Sequence, residues 1–443
     1  MFCTPKRMAL SRVRSFVTEL SRRKEPTAVF RDNQWCTTNT IDPFLRENIP
    51  GLMALSPRLR KSPYFERTIE HDVCEFTVYN RMLMPLYYGE GFDVEYKALT
   101  EDVAVWDVAA ERQVELLGPD AHKLAQQLTC RDISKVRPGK CVYTIMTDDD
   151  GIVVNDPVLL KLAEDRYWFS IADSDVLLWA KGIAIGQNLD VKVFEPDVSP
   201  LAVQGPKSKS LMSDLYGEEL VDRLKYFDFA HGEETMLLGK IPTLLARSGW
   251  SPELGYEIYL EDSSYGKELY DLVWEHGYKY DIKPGAPNQQ RRIEGGMLSF
   301  GADTLQDTNA LELGLPKKFV NPYGKHDFIG KQALQQIAEE GGPHRKLCGI
   351  MFDRHDDDEG IEVLSQTWCG KHLEVFTDNG ASQNPYGVFT AFVSHSPQFG
   401  RALGFAFLPN NTENVGSSVY IETSTGTRVK GSVCSLPFSS RVA

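Results

Sequence analysis

An asparagine–aspartate pair set into an apolar run is the first place in this 443-residue chain where chemistry could reside. In Asp150-Gly-Ile-Val-Val-Asn-Asp-Pro-Val-Leu-Leu-Lys161, the neighbours of Asn155 and Asp156 are Val153, Val154, Val158, Leu159 and Leu160. An ionised carboxylate is costly in such a setting unless a cation or hydrogen-bond donors meet it, and an acid so placed is suited to proton handling. A strand-end aspartate turned to water is the alternative.

A second acid lies in Arg247-Ser-Gly-Trp-Ser-Pro-Glu-Leu-Gly-Tyr-Glu-Ile-Tyr259. Side chains alternate faces along a strand, so Tyr256 and Ile258 share one face while Glu257 and Tyr259 share the other. An acid inside an aromatic strand needs a partner. An internal salt bridge to Arg247 or Arg292 would serve. So would a ligand with two parallel N–H donors, such as the 2-amino-4-oxo edge of a pterin, which meets a carboxylate as a guanidinium does. Trp250 and Tyr259 offer faces for an organic cation, with core packing as the alternative for both rings.

These residues need elements to hold them. Apolar content of 42% and charged content of 25% suit a soluble globular protein. The length allows two or three domains. No apolar run reaches the length of a membrane span. A net charge of −14 argues against nucleic acid as the main partner. Residues 1–24 hold seven basic side chains and one acid, which leaves −20 on the remainder. A basic, acid-poor leader on an acidic body resembles an organelle transit segment, which would make the protein mitochondrial; a disordered extension or a mis-assigned start is the alternative and leaves it cytoplasmic. The eight cysteines show no C-x-x-C and no zinc-ligand spacing, so no metal is expected. Counting twelve from Asp148 lands on Leu159, so the acidic run 148–150 fails as a calcium loop and reads as a turn, as does 356–359.

Along the chain, 1–50 reads as an extension. Strands are expected within 103–117 and at 143–147, 152–162 and 167–172, the last two joined as a hairpin by 163–166. Asp173-Ser174 is the expected cap of a helix over 176–185. Further strands fall at 199–206, 244–247 and 255–260, and helices at 263–276, 286–299 and 329–340. Short β segments at 346–353, 372–377, 386–394, 402–407 and 418–435 predict a small barrel or sandwich.

Five separated segments keep a familiar order: Val105-Trp-Asp-Val108, Gly151-x-x-x-Asn-Asp156, Ala202-Val-Gln-Gly-Pro206, Ser248-Gly-x-x-x-x-x-Gly-Tyr-Glu-Ile258 and Arg292-Ile-Glu-Gly-Gly296. Together they resemble the folate-binding glycine-cleavage T-protein superfamily, over roughly residues 52–430. Within it, Tyr79-Asn-Arg-Met-Leu83, Glu111-Arg-Gln-Val114, Asn155-Asp-Pro-Val158, Ile171-Ala-Asp-Ser-Asp175 and Phe194-Glu-Pro-Asp-Val-Ser199 resemble its dimethylsulfoniopropionate demethylases.

The resemblance implies an α+β fold: an extension at 1–50, a folate- and substrate-binding body over 51–318, and a C-terminal β-barrel domain over 319–443. It implies a tetrahydrofolate-dependent methyltransferase acting on a small sulfonium compound. Asp156 becomes the catalytic acid near the reactive nitrogens, Glu257 the grip on the pterin edge, and Asn155 and Tyr143 further cofactor contacts. Trp250, Tyr259 and Ser174 line the substrate pocket. The arginine that holds the folate glutamyl tail in T-proteins aligns with Asn288. Another tetrahydrofolate-dependent one-carbon transferase and a non-catalytic folate-binding protein are the alternatives.

Overall fold

A computed structural model describes residues 58–353, 359–367, 372–380, 383–410, 415–423 and 425–438, with the backbone of a strand pair, Val29–Arg31 and Gln34–Cys36. The leader reading of 1–50 otherwise lies outside the described residues, as does 356–358 of the second acidic run.

Two sheets form the body. The first runs Phe229–His231, Thr243–Ala246, Gly255–Leu260, Ser199–Gln204, Val103–Asp107, Ile282–Gly285, and only its last pairing is parallel. The second runs Lys192–Phe194, Gln113–Leu117, Arg166–Ser170, Val158–Ala163, Lys140–Tyr143, antiparallel throughout. Both sheets are buried on two faces, which is why their strands read as near-continuous apolar runs. Outer faces pack on helices: Leu201, Val203, Tyr256 and Ile258 meet Ser208–Tyr216 and Gly266–Gly277, while Val114, Leu116, Leu159 and Phe169 meet Ala121–Leu128 and Val176–Gly186. Between the sheets lie Cys141, Leu160 and Trp168 from one, and Phe229, Leu244, Ala246 and Tyr259 from the other.

A closed six-stranded barrel follows: Arg345–Phe352, Arg401–Pro409, Gly387–Ser396, Leu373–Phe376, Ser418–Glu422, Arg428–Cys434. Its interior holds Ile350, Phe389, Ala406, Ile421 and Val433. Phe405 and Phe407 face outward into a cluster with Cys130, Ile145, Val153 and Ile293 of the body, so the barrel is seated on the body by a shared core.

Five local expectations change, the first being the 143–147 strand: Tyr143 ends Lys140–Tyr143, and Met146–Thr147 belongs to a different sheet. The 152–162 strand is broken into Val153–Asn155 and Val158–Ala163, which join different sheets. The gap is Asp156-Pro157: proline has no N–H to give a ladder, and its carbonyl takes the Thr144 N–H and hydroxyl instead. The helix expected over 286–299 spans only Gln289–Glu294, stopped by Gly295-Gly296 with Gly296 at φ +67°. Asp173-Ser174 does not cap Val176–Gly186; both side chains are used elsewhere, as described below. A helix, Glu359–Thr367, follows the second acidic run where only a turn was expected. The first acidic run is the expected turn, with Asp148 accepting from the N–H of Asp150 and Ile152.

Candidate functional site

Gln204 explains the spacing around Glu257. Its amide lies beneath the 248–256 segment, donating to the carbonyls of Ser248 and Tyr256 at 3.2 Å and accepting from Ser251 at 2.9 Å. A Cβ on Gly249 or Gly255 would stand 2.1 or 2.2 Å from that amide, so a side chain at either place would displace Gln204 from these hydrogen bonds.

Held this way, Glu257 faces the inter-sheet space, between Ala202 and Ala246 in register on the two neighbouring strands. It is buried, and it accepts from Ser248 at 2.5 Å and from Tyr259 at 3.1 Å, both through Oε2. Neither expected arginine reaches it. Arg247 donates to the Gly255 carbonyl and lies over Tyr256, whereas Arg292 makes a two-point ion pair with Asp303 at 2.6 and 3.0 Å. Among the described residues no cation lies within ion-pairing distance of Glu257. Burial pushes its pKa up, and the two hydroxyl donors only partly oppose that.

Asp156 sits at the strand break. Its carboxyl is half-buried and accepts from the Tyr143 hydroxyl at 2.9 Å. Desolvation raises its pKa to about 7, the Tyr143 hydrogen bond pulling down and the Asp303 charge adding to the rise. The backbone next to it is pinned by Asn155, which is fully buried. The Asn155 amide donates to the Ala172 carbonyl at 3.0 Å and to Ser174 Oγ at 2.8 Å, and accepts from the Ala172 N–H at 3.1 Å. Ser174 in turn donates to the Val154 carbonyl at 2.9 Å. Asn155 and Ser174 therefore meet each other. Asp173 accepts from the N–H of Asn80, the first residue of a two-residue hairpin turn with φ of 49° and 61°, and the Asn80 amide reaches the Ala110 carbonyl at 3.0 Å.

Glu111, in sequence only one of the residues that carry the resemblance, is a third acid. It lies in the crossover 108–112 that carries the chain from the sheet of Glu257 to the sheet that continues from Asp156. Burial holds its pKa well above the ordinary carboxyl range, and the charges of Glu257 and Asp156 raise it further. The sequence signal was an acid placed after the small apolar run Val108-Ala-Ala110 and followed by Arg112. The charges of Asp156 and Glu257 both reach Glu111, so the three carboxyls cannot all ionise cheaply.

The expected substrate residues are placed unequally. Trp250 is half-buried, its N–H donating to the Leu298 carbonyl at 3.1 Å and its ring 5.5 Å from the Arg292 guanidinium. Tyr259 is 1% exposed, packed 6.3 Å from Trp168, with its hydroxyl on Glu257. As placed, it presents almost no surface to a ligand and orients Glu257. Asn288 accepts from the Arg291 N–H at 2.8 Å and so caps the short helix Gln289–Glu294. Arg291 is paired with Glu253 and Glu294.

Residues 64–321 match the GCVT N-terminal domain family. The chain belongs to the glycine-cleavage T-protein family, and it is an enzyme of that family. It is 35% identical to the dimethylsulfoniopropionate demethylase of Ruegeria pomeroyi, over 84% of this chain and 96% of that one. It is 27% identical to the aminomethyltransferase of Halothermothrix orenii, over 86% of this chain and all of that one. The crystal structure of the glycine cleavage system aminomethyltransferase T from Bartonella henselae has the same fold, with a TM-score of 0.71 at 21% identity, covering 86% of this chain and 98% of that one. Among the described residues, no helix is long and apolar enough to cross a membrane.

Proposed function

We propose that this protein is a tetrahydrofolate-dependent methyltransferase that demethylates dimethylsulfoniopropionate, forming methylmercaptopropionate and 5-methyltetrahydrofolate. The observation that carries this reading is the 35% identity to a dimethylsulfoniopropionate demethylase over 96% of that relative's length. The body over 51–318 holds both reactants and the domain from 319 closes one side.

The residues fit the reduced folate. Glu257, buried among neutral donors and without a cation, suits a ligand that brings paired N–H groups of its own. When bound, tetrahydrofolate supplies the N5 lone pair that takes the methyl, while the C–S bonding electrons leave with a neutral thioether. No acid is needed for that leaving group. Glu257 orients the pterin, which fixes where the nitrogen meets the S–CH₃ bond. Asp156 stabilises positive charge arriving at the nitrogen and accepts the proton it sheds, a task suited to an acid with a pKa of about 7. Tyr143 steadies Asp156, and Asn155 with Ser174 sets the backbone that aims it. Trp250 and Ser174 border the substrate hollow, Tyr259 closes its floor through Glu257, and Glu111 adds to the field that draws in a sulfonium.

The deciding experiment incubates the purified chain and tetrahydrofolate with dimethylsulfoniopropionate, dimethylglycine or glycine betaine, and follows folate products by mass spectrometry. 5-Methyltetrahydrofolate and methylmercaptopropionate from the first alone are expected. A folate product from another donor only would replace the reading, and binding of folate without turnover of any donor would make the chain a non-catalytic folate binder.

A further inference from the structure

We propose that Arg131, lying on the face of Phe319 beside Tyr143, is a carboxylate-binding subsite of this active centre. The inference rests on the reaction proposed above and adds a recognition element to it.

Arg131 is half-buried, and one of its terminal nitrogens donates to the Tyr143 carbonyl at 3.0 Å. Its guanidinium carbon stands 5.3 Å from the centre of the Phe319 ring, and that ring meets Tyr143 edge-on at 5.7 Å and 72°. Tyr143 in turn gives its hydroxyl to Asp156. One tyrosine therefore links a guanidinium at its backbone end to the catalytic acid at its other end.

The neighbouring arginines are neutralised within the protein: Arg291 by Glu253 and Glu294, Arg292 by Asp303. Among the described residues no carboxylate lies within ion-pairing distance of Arg131. Its burial is opposed by no nearby acid, so the cation is left short of solvation. Phe319 also carries Lys318, whose ammonium is 4.8 Å from the ring centre. Two cations on one ring, in a chain of net charge −14, make a local positive site, which Tyr143 connects to Asp156.

A planar fork with unused N–H donors is matched by a carboxylate. Both reactants carry one. The sulfonium substrate has it two methylenes from sulfur, and tetrahydrofolate has it in the glutamyl tail, whose T-protein arginine is replaced here by a helix cap, Asn288.

The test uses the full chain with Arg131→Gln and Arg131→Lys. KM and kcat are measured with dimethylsulfoniopropionate, and dissociation constants with tetrahydrofolate and with tetrahydropteroate, which lacks the glutamate. Arg131→Gln is expected to raise one constant roughly tenfold to a hundredfold, while tetrahydropteroate binding stays within about twofold. A rise in the substrate KM assigns the subsite to the sulfonium compound. A rise in the tetrahydrofolate constant alone assigns it to the glutamyl tail. Unchanged values of both in folded protein overturn the proposal. Should Arg131→Gln fail to fold, Arg131→Lys decides, since it keeps charge but loses the fork and must still shift one constant several-fold. If the wild type gives no 5-methyltetrahydrofolate from the sulfonium compound, the reaction reading fails by itself, and the two folate titrations still decide the subsite.

Discussion

Tyr143 and Asp156 are held 2.9 Å apart, hydroxyl to carboxylate, by a strand that breaks between Asn155 and Val158. The break frees Asp156 from the ladder, and the tyrosine at the end of the next strand over supplies its donor. The acid ionises near neutral pH for that reason: burial pushes its pKa up to about 7 and the phenol limits the rise.

If ionised Asp156 is the active form, kcat/KM rises with pH through about 7 and then levels. Tyr143→Phe removes the donor that favours the charged form, so the midpoint should move to higher pH. A pH–rate profile whose midpoint stays put or falls would contradict this. Asp156→Asn should lower turnover about a hundredfold and leave folate affinity within a few-fold. Loss of folate affinity with intact single-turnover chemistry would instead make Asp156 a recognition residue.

The same group affects stability. Its folded value of about 7 lies above the ordinary 3.8, so between the two the folded protein holds a proton that the unfolded chain has released. The contribution is full below the lower value and is lost as pH rises toward 7. Thermal melts of Asp156→Asn should therefore gain more over wild type at pH 8 than at pH 4, and an equal shift at both would disprove the linkage.

Glu257→Gln replaces one acceptor of a paired contact with a donor. The folate dissociation constant should rise about tenfold by titration. An unchanged constant removes Glu257 from the binding site.

Asn155→Ala removes three hydrogen bonds around a fully buried amide, all of them to the segment 172–174. A loss of about 1–3 kcal/mol in urea unfolding is expected, with kcat falling more than folate affinity. A stable variant with normal kcat would show that Asp156 needs no such support.

Asn288→Ala should cost about 1 kcal/mol through loss of the cap, with folate binding unchanged. Weakened folate binding at full stability would mean that Asn288 contacts the ligand.

Much of this arrangement is visible without coordinates. Period-two alternation puts Glu257 and Tyr259 on one face of the Gly255–Leu260 strand, and they are found bonded to each other there. Pro157 forbids a continuous ladder, so the apolar run on both sides of it, which alone suggests one strand, forms two. Ser174 looked like a helix cap because its position and type suit one, but the buried amide of Asn155 competes for its hydroxyl and wins. The helix expected to reach 299 stops at Glu294, since two adjacent glycines outweigh the apolar pattern beyond them.

What the chain alone determined are local properties: strand faces, turn positions, and acids too apolar in surroundings to be ordinary surface charge. Which acids meet is another matter. Glu111, Asp156 and Glu257 are brought within reach of one another's charge by the packing of two sheets, and Arg131 reaches the end of the Lys140–Tyr143 strand from the segment before it. Alternation and propensity act over a few residues, whereas these meetings depend on register and sheet packing between distant segments, so only the tertiary structure could decide them.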